Sequence, residues 1–252
     1  MITLFRAAAL GIALFMAPAA AAAEDSFNDK QRTEIGRIVR QYLLDNPELL
    51  LEVSKELETR QKAEEDTKRE GALVANAEAL FKSPHDLVAG NPKGDVTMVE
   101  FFDYNCSWCK KGLPEVLSLI ETDKNLRLVM KEFPIFGGDS DYAAQAALAS
   151  RAQGKYWEFH LALLGHEGKL TRASVDEIAQ AQGLDLDKLK AAMQAPEIAQ
   201  IIAANQKLAQ DLNITGTPAF VIDKTVVPGY LPVDGLMAAI NEVRASGGCK
   251  LC

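Results

Sequence analysis

The sequence has few of the residues that bind nucleic acids or metal ions. Its 27 lysines and arginines are outnumbered by 35 aspartates and glutamates, and it has only 3 histidines. The formal net charge of -8 argues against a general nucleic-acid binder, because contacts to phosphate need lysine and arginine. His85, His160 and His166 each lack a nearby ligand partner in the sequence, so core or surface roles are favoured over metal binding.

Cysteine is also scarce, and its arrangement is informative. Four cysteines are too few for a scaffold held together by disulfides. They occur as two CxxC pairs, Cys106 with Cys109 and Cys249 with Cys252. The first pair lies inside the main apolar pattern of the chain, and the second follows two glycines near its end.

Long apolar runs are missing after the first residues. Residues 1–23 contain one cation, Arg6, then an apolar core and small residues, a pattern typical of a secretory signal peptide cut after Ala23. An uncleaved anchor is the alternative, but the apolar core is shorter than the roughly 20 residues that span a bilayer. We therefore expect export to the periplasm, where disulfides form and persist.

The next part of the sequence predicts two helices and a linker. Apolar residues recur at helical spacing from residue 28 to 57, and Asn46-Pro47 fits the start of the second helix. Charged residues dominate the first half of residues 58–82, which predicts a solvent-exposed helical linker. The linker separates the apolar stripe of residues 24–57 from the main core, so we expect this segment to associate copies of the chain. Packing against its own domain is the alternative.

Residues 83–245 predict an α/β domain. The order is strand, helix, strand, a helical block at about 139–212, two strands and a helix. The first unit implies parallel strands, and the last two strands predict a hairpin. A mixed sheet with helices on both faces follows, and residues 246–252 form a tail.

The motif around the first cysteine pair predicts a reactive dithiol. Cys106 falls where a strand ends and a helix begins, and the positive end of a helix stabilises a thiolate. Cys109 is close enough to close a small ring and resolve a mixed disulfide. A zinc site would need another ligand pair nearby, and a structural disulfide would close too small a loop to stabilise the fold much. Cys106 is therefore the predicted nucleophile and Cys109 the resolving thiol.

From about residue 87 to 245 the chain resembles the DsbA-like branch of the thioredoxin superfamily. The resemblance rests on the motif EFFDYNCSWC, on Gly216-Thr217-Pro218 before the third strand, and on the helical insertion. It implies a thioredoxin fold and a thiol:disulfide oxidoreductase whose only redox group is its own disulfide. It also implies that the Thr217–Pro218 bond is cis and faces the cysteines, with the Thr217 backbone available to an extended substrate peptide. An ordinary loop proline is the alternative.

The resemblance also implies a role for Glu100, six residues before the first cysteine. In the family an acidic residue there helps to move the proton of the buried thiol. Strand alternation places Glu100 on the face opposite Val99 and Phe101, in a sheet covered on both sides. A buried carboxylate needs a partner, and Lys131 in the neighbouring strand is the candidate. A partly exposed surface pair is the alternative.

The dipeptide between the cysteines departs from the DsbA prototype. Ser107-Trp108 stands where the prototype has Pro-His, so one source of thiolate stabilisation is absent and a less oxidising dithiol is expected. Trp108 is expected to lie exposed beside the thiols and, with Ser107, to contact substrate. A packing tryptophan is the alternative.

The N-terminal part resembles a narrower group, the ScsC-type suppressors of copper sensitivity. The signal peptide, the two-helix segment with NPELLLE, the charged helix and the following domain carry this resemblance. It implies a homo-oligomer formed through the N-terminal helices and a disulfide isomerase acting on unfolded or misoxidised exported proteins. It further implies a membrane redox partner that keeps the dithiol reduced. The alternatives are a monomeric DsbA-like oxidase and a copper(I)-binding thiol protein.

The second cysteine pair stays open from sequence alone. Cys249 and Cys252 could bind copper(I), because soft thiolates suit that ion, or act as a second redox pair. A mobile, locally closed disulfide is the simplest interpretation.

Overall fold

The computed structural model describes residues 27–252, so the predicted signal peptide, residues 1–23, lies outside the described residues. The chain divides after Gln61 into two compact units. Among the helices of the described part, none combines the length and apolar character needed to cross a bilayer.

The first unit contains the first predicted helix and the beginning of the second. Helix α1 spans Asp29–Asp45, and α2 begins at Glu48, directly after Pro47, and continues to Ala75. The Asn28 side chain accepts a hydrogen bond from the Gln31 amide, and the Gln31 side chain accepts one from the Asn28 amide, which caps α1. None of the α1 side chains is buried. The apolar stripe is therefore exposed in the single chain; its members include Ile35, Ile38, Val39, Tyr42, Leu50, Val53 and Leu57.

The second unit is the predicted α/β domain. Its five-stranded sheet has the order β1-β3-β2-β4-β5. Strands β2 and β3 are parallel, whereas β1 with β3, β2 with β4, and β4 with β5 are antiparallel. The elements are α3 (Ala77–Phe81), β1 (Leu87–Gly90), β2 (Val96–Phe102), α4 (Ser107–Thr122), β3 (Leu126–Glu132), α5 (Gly138–Ser150), a short 3-10 turn (Arg151–Gln153), α6 (Tyr156–Leu164), α7 (Arg172–Ala181), α8 (Leu186–Met193), α9 (Pro196–Asp211), β4 (Ala219–Ile222), β5 (Thr225–Pro228) and α10 (Val233–Ala245). The mixed sheet, its parallel pair, its hairpin and the helical insertion confirm the predicted fold class.

Strand β2 is buried along its whole length and contributes to two separate cores. Met98 and Phe102 pack in a cluster with Cys106 and Cys109. Val99 and Phe101 pack on the other face. The second cluster also includes three residues that the sequence assigned to the linker, namely Leu73, Leu80 and Phe81. The core of this unit therefore begins before residue 83.

The predicted pairing of Lys131 with Glu100 is wrong. In the parallel register of β2 and β3, Glu100 lies opposite Met130 and Phe101 lies opposite Lys131. Because opposite residues share a face, Lys131 and Glu100 point to different sides of the sheet. The Lys131 Nζ instead donates hydrogen bonds to Asp86 Oδ2 and to the Ala79 carbonyl, each at 2.5 Å. Lys131 thus fastens the segment before β1 to the sheet.

Replacing Asp86 with alanine should leave the buried Lys131 ammonium without its carboxylate. We expect the free energy of unfolding to fall by about 3–5 kcal/mol, measured by urea denaturation. The matched control is Glu78→Ala, which removes an exposed carboxylate paired with Lys82 and should cost less than about 1 kcal/mol. Equal losses in the two variants would contradict this account of the buried pair.

Candidate active site

The first cysteine pair occupies the N-terminus of α4. Cys106 is the capping residue of the helix, with extended backbone, and its Sγ accepts a hydrogen bond from the Cys109 amide at 3.4 Å. Both thiols are free and almost wholly buried. Unpaired amides and the helix dipole both favour negative charge at this position, as the sequence predicted.

The two sulfurs have opposite acidities. A hydrogen bond from the Cys109 side chain, helped by the amides of Cys109 and Trp108, lowers the pKa of Cys106 to about 6 in spite of its burial. Burial strongly raises the pKa of Cys109, and the nearby Glu100 and Cys106 charges raise it further. At neutral pH the arrangement therefore supplies one thiolate at Cys106 and one protonated thiol at Cys109.

The loop before β4 lies against Cys106. The Thr217–Pro218 peptide bond is cis, as the resemblance implied. The Cys106 thiol donates a hydrogen bond to the Thr217 carbonyl oxygen at 3.2 Å. The contact brings together two segments that are far apart in the sequence, and it places the Thr217 backbone at the reactive sulfur.

Glu100 is buried on the same side of the sheet as the cysteines, as expected, and is only 3% exposed. Within residues 27–252 its carboxyl group forms no hydrogen bond or ion pair. Burial, and then the negative charge on Cys106, raise the pKa of Glu100 to about 8. The carboxyl is therefore mostly neutral at pH 7, and its pKa lies where it can both accept and release a proton.

An aromatic surface flanks the thiols on the side of the cis proline. Trp108 is half-exposed, and its ring lies 5.5 Å from that of Tyr230, centroid to centroid. The Lys111 Nζ lies 4.7 Å and 4.9 Å from the two ring centroids, a cation–π arrangement. A cavity of about 280 Å³ is bounded by Trp108, Thr217, Gly229 and Tyr230.

A larger cleft lies on the other side of Cys106. Ser107 is exposed at the first position of α4 and lines a cavity of about 660 Å³, together with Lys110 and residues 164–169. The Lys110 Nζ donates hydrogen bonds to the His166 and Gly168 carbonyls, which holds the wall of this cleft in place. Both residues between the cysteines therefore face open space.

Sequence reasoning missed Tyr230 and Lys111. The available signal for Tyr230 was an aromatic residue at the turn Pro228-Gly229-Tyr230, directly after the hairpin. Nothing local connected it with Trp108, because the two come from distant parts of the chain. Lys111 follows the motif by two residues and could have been noted as a neighbouring cation.

A second group of buried polar side chains was also not predicted. Glu132 Oε1 accepts hydrogen bonds from the hydroxyls of Tyr104 and Tyr156, both at 2.8 Å. Burial raises the pKa of Glu132 to about 8. Burial likewise lowers the pKa of His160 to about 3, so this ring is neutral. Nearby, Asp103 accepts hydrogen bonds from the amides of Asn105 and Ile135 and from the Ser140 hydroxyl, which orders the chain just before Cys106.

The second cysteine pair lies elsewhere and is oxidised. Cys249 and Cys252 form a disulfide. In the part of the chain that the structure describes, no three or more histidine, cysteine, aspartate or glutamate residues gather in a way that could hold a metal ion.

Comparison with known proteins agrees with the fold. Residues 97–241 match the family described as DSBA-like thioredoxin domain. Residues 31–64 match the Copper resistance protein ScsC N-terminal domain. The molecule is thus of the thioredoxin-fold class, and the chain belongs to the DSBA-like thioredoxin family.

Two solved structures illustrate the likeness. A thioredoxin-like oxidoreductase from Silicibacter pomeroyi DSS-3 is 48% identical, over 67% of this chain and 97% of that one, with a TM-score of 0.66. Proteus mirabilis ScsC in a transitional conformation is 27% identical, over 88% of this chain and 98% of that one, with a TM-score of 0.64. The second alignment extends well beyond the thioredoxin domain into the N-terminal part of the chain.

Curated relatives include much longer proteins. The Na(+)/H(+) antiporter NhaA 1 of Salinispora arenicola is 32% identical over 162 residues, which is 64% of this chain and 25% of that protein. The chain thus spans about a quarter of the length of the first curated relatives it matches.

The acidity of Cys106 can be measured by its rate of alkylation. We expect the rate of reaction with iodoacetamide to be half-maximal near pH 6, with the thiolate form reacting. In Cys109→Ala the midpoint should rise by at least about one pH unit, because the strongest stabilising hydrogen bond is lost. Cys109→Ser is the matched control, since its hydroxyl still donates, and it should shift the midpoint less. Identical midpoints in both variants would contradict the assigned cause.

Glu100 should also control the pH dependence of stability. Its pKa is about 8 in the folded, reduced protein and about 4.5 when unfolded, so the folded state binds more protons between these values. Its contribution to stability is complete below pH 4.5 and is lost as the pH rises towards 8. Glu100→Gln does not titrate, so at pH 7 it should unfold with a free energy about 2–3 kcal/mol higher than wild type.

Urea denaturation of the reduced protein from pH 4 to pH 8 measures this effect. The difference between Glu100→Gln and wild type should shrink towards pH 4. The control Glu242→Gln alters an exposed carboxyl on α10 and should follow wild type at every pH. A constant difference across the pH range would show that Glu100 does not titrate as described.

Proposed function

We propose that this protein is a thiol:disulfide oxidoreductase of the periplasm, acting as a disulfide isomerase or reductase on unfolded or misoxidised exported proteins. One observation carries the proposal. The acidic Cys106 sulfur lies at the start of α4, 3.2 Å from the carbonyl of Thr217 in the cis-proline loop, with a buried partner thiol at Cys109. This arrangement supports thiolate attack on a disulfide next to a segment that can hold a peptide backbone.

The proposed reaction begins at Cys106. Its thiolate attacks one sulfur of a substrate disulfide, forms a mixed disulfide and releases the other substrate sulfur as a thiolate. In isomerisation the mixed disulfide is attacked by another substrate thiolate, which frees Cys106 with no net change in electrons. In reduction, Cys109 attacks Cys106 Sγ instead, and the chain's own disulfide forms as the substrate dithiol leaves.

Cys109 must lose its proton before it can resolve the mixed disulfide. Its burial opposes ionisation, and the pKa of Glu100, about 8, is suited to accepting a proton near neutral pH. We assign Glu100 to this transfer and Cys109 to resolution. Lys131 has no part in it, because it lies on the other face of the sheet.

Substrate binding is assigned to the surfaces beside the thiols. An extended peptide pairs with the backbone of Thr217, next to Pro218, in the manner of an added strand. Trp108 and Tyr230 offer an apolar face to its side chains, and Ser107 borders the cleft on the opposite side. No cofactor is required, because both electrons are carried by Cys106 and Cys109.

The N-terminal helices support an oligomer. Exposed Ile35, Ile38 and Tyr42 form a stripe on α1 that a single chain leaves uncovered, and residues 31–64 match the ScsC N-terminal domain. We propose that residues 24–57 associate copies of the chain, that residues 58–82 connect them to the domain of residues 83–245, and that residues 246–252 form a tail. A membrane redox partner keeps the dithiol reduced.

The oligomeric isomerase can be tested with a substrate enzyme whose disulfides have been scrambled. In mild reducing buffer the protein should restore activity, and Cys106→Ala should abolish the recovery. Ile38→Lys places a charge in the exposed stripe and should slow recovery by about fivefold, because linked sites raise the effective concentration of thiolate at one substrate. The control Thr33→Lys adds the same charge on the opposite face of α1, where the side chain is also exposed, and should leave the rate unchanged.

Native mass measured on the same variants separates the alternatives. The native mass of Ile38→Lys should be smaller than that of wild type, and the native mass of Thr33→Lys should not. A monomeric wild type that fails to restore activity but rapidly oxidises a reduced substrate would replace this proposal with a DsbA-like oxidase. Stoichiometric copper(I) bound by the reduced protein and lost in Cys106→Ala, without any exchange activity, would favour a copper-binding thiol protein.

A further inference from the structure

The second cysteine pair lies in an ordered segment that follows α10. Gly247 and Gly248 have φ angles of 94° and 84°, which turn the chain back towards the sheet. Cys249 and Cys252 are then joined as a disulfide, and both are partly accessible to solvent. The sulfurs can therefore be reached by a reagent or a partner without unfolding the domain.

The segment is held in place by contacts other than the disulfide. Asp223 Oδ1 accepts hydrogen bonds from the amides of Lys250 and Leu251, at 2.7 Å and 2.8 Å. Leu251 also packs against the second hydrophobic cluster. The disulfide itself joins residues only three apart, so it restricts the unfolded chain little. A purely structural role explains it poorly.

The two sulfurs have different polar neighbours. The Thr97 amide donates a hydrogen bond to Cys252 Sγ at 3.2 Å, and the Thr97 carbonyl oxygen lies farther from that sulfur, at 3.7 Å. Cys249 Sγ lies 3.4 Å from Asp223 Oδ1. In the disulfide neither sulfur carries a hydrogen, so Asp223 faces Cys249 without a proton between them. In the dithiol, Cys249 could donate to Asp223 while a Cys252 thiolate keeps the Thr97 amide. The surroundings therefore suit a reduced state with one thiol and one thiolate.

This site is distant from the first one. Thr97 lies near the start of β2, and Cys106 follows the end of that strand. The five residue-to-residue steps from Thr97 to Phe102 alone span about 16 Å in extended conformation. The two pairs cannot exchange with each other inside one folded domain, so the second pair needs its own reaction partner.

We propose that Cys249 and Cys252 form a second thiol–disulfide exchange site, with Cys252 as the reacting sulfur and a dithiol as its partner. One thiolate of the dithiol attacks Cys252 Sγ, the bond to Cys249 breaks, and the Cys249 sulfur leaves and takes up a proton beside Asp223. The second thiolate of the dithiol then attacks the mixed disulfide and releases Cys252. The dithiol is oxidised to a disulfide, and the pair gains two electrons and one proton, with Cys249 left as a thiol and Cys252 as a thiolate. Asp223 is a positioning residue.

The test uses the full chain carrying Cys106→Ala and Cys109→Ala, so that only the second pair can react. The folded protein is incubated with dithiothreitol, trapped with limiting iodoacetamide at pH 7, and mapped by peptide mass. We expect the disulfide to open while the domain stays folded, and Cys252 to be alkylated severalfold faster than Cys249, because the Thr97 amide donates to the Cys252 sulfur and Asp223 lies beside Cys249. Mapping of the wild-type protein under the same conditions checks that the substitutions did not cause the opening.

Asp223→Asn tests whether Asp223 affects the reactivity of the cysteines. A purely structural role would leave the ratio of the two alkylation rates unchanged. Its carbonyl oxygen can still accept the hydrogen bonds of Lys250 and Leu251, but the negative charge beside Cys249 is gone. The ratio of the two alkylation rates should therefore fall severalfold, with the fold retained. Opening of the disulfide only in denaturing urea would overturn the proposal, and equal rates for the two sulfurs would overturn the assignment of Cys252. Neither result depends on Cys106, so these experiments do not test the function proposed for that cysteine, and failure of one proposal can be distinguished from failure of the other.

Discussion

Much of the structure depends on one constraint, the complete burial of β2 between two cores. All seven residues from Val96 to Phe102 are buried, so every side chain on this strand packs against the core on one face of the sheet or the other. The strand ends where the active-site segment begins, and the two packed faces hold that point fixed. The same burial brings Glu100 beneath the cysteines without a hydrogen-bonding partner among the described residues, which is the origin of its raised pKa.

The difference between the two active-site thiols follows from a displacement of a single helical turn. Cys106 caps α4 and meets the free amides of its first turn, whereas Cys109 lies inside the helix and faces the core. Helix polarity favours charge on the first sulfur, and desolvation opposes it on the second. The difference in acidity between the two sulfurs is thus a property of position, and it holds although the histidine of the DsbA prototype is replaced by Trp108.

Local patterns in the sequence were enough to predict the fold class, the helix that begins at the cysteines and the burial of Glu100, whereas the cis-proline loop was implied by the family resemblance. These patterns did not predict contacts that depend on how segments distant in the sequence lie against each other. The predicted pairing of Lys131 with Glu100 failed because neither strand's sequence alone determines the register of β2 against β3. Tyr230 was missed for a similar reason, since its contact with Trp108 exists only after the hairpin folds back over α4. The hydrogen bonds of Glu132 come from Tyr104 and from Tyr156 in the helical insertion, and no short-range signal joins them.

The hydrogen bond from Cys106 to Thr217 has a consequence for product release. A protonated Cys106 occupies the Thr217 carbonyl, while a thiolate or a mixed disulfide has no hydrogen to donate and leaves that carbonyl to an incoming backbone. In the proposed binding mode, hydrogen bonding of a peptide backbone to this carbonyl therefore competes with protonation of the sulfur. Since the pKa of Cys106 is about 6, the thiolate dominates at pH 7, and release of a peptide should be favoured as the surroundings acidify towards pH 6.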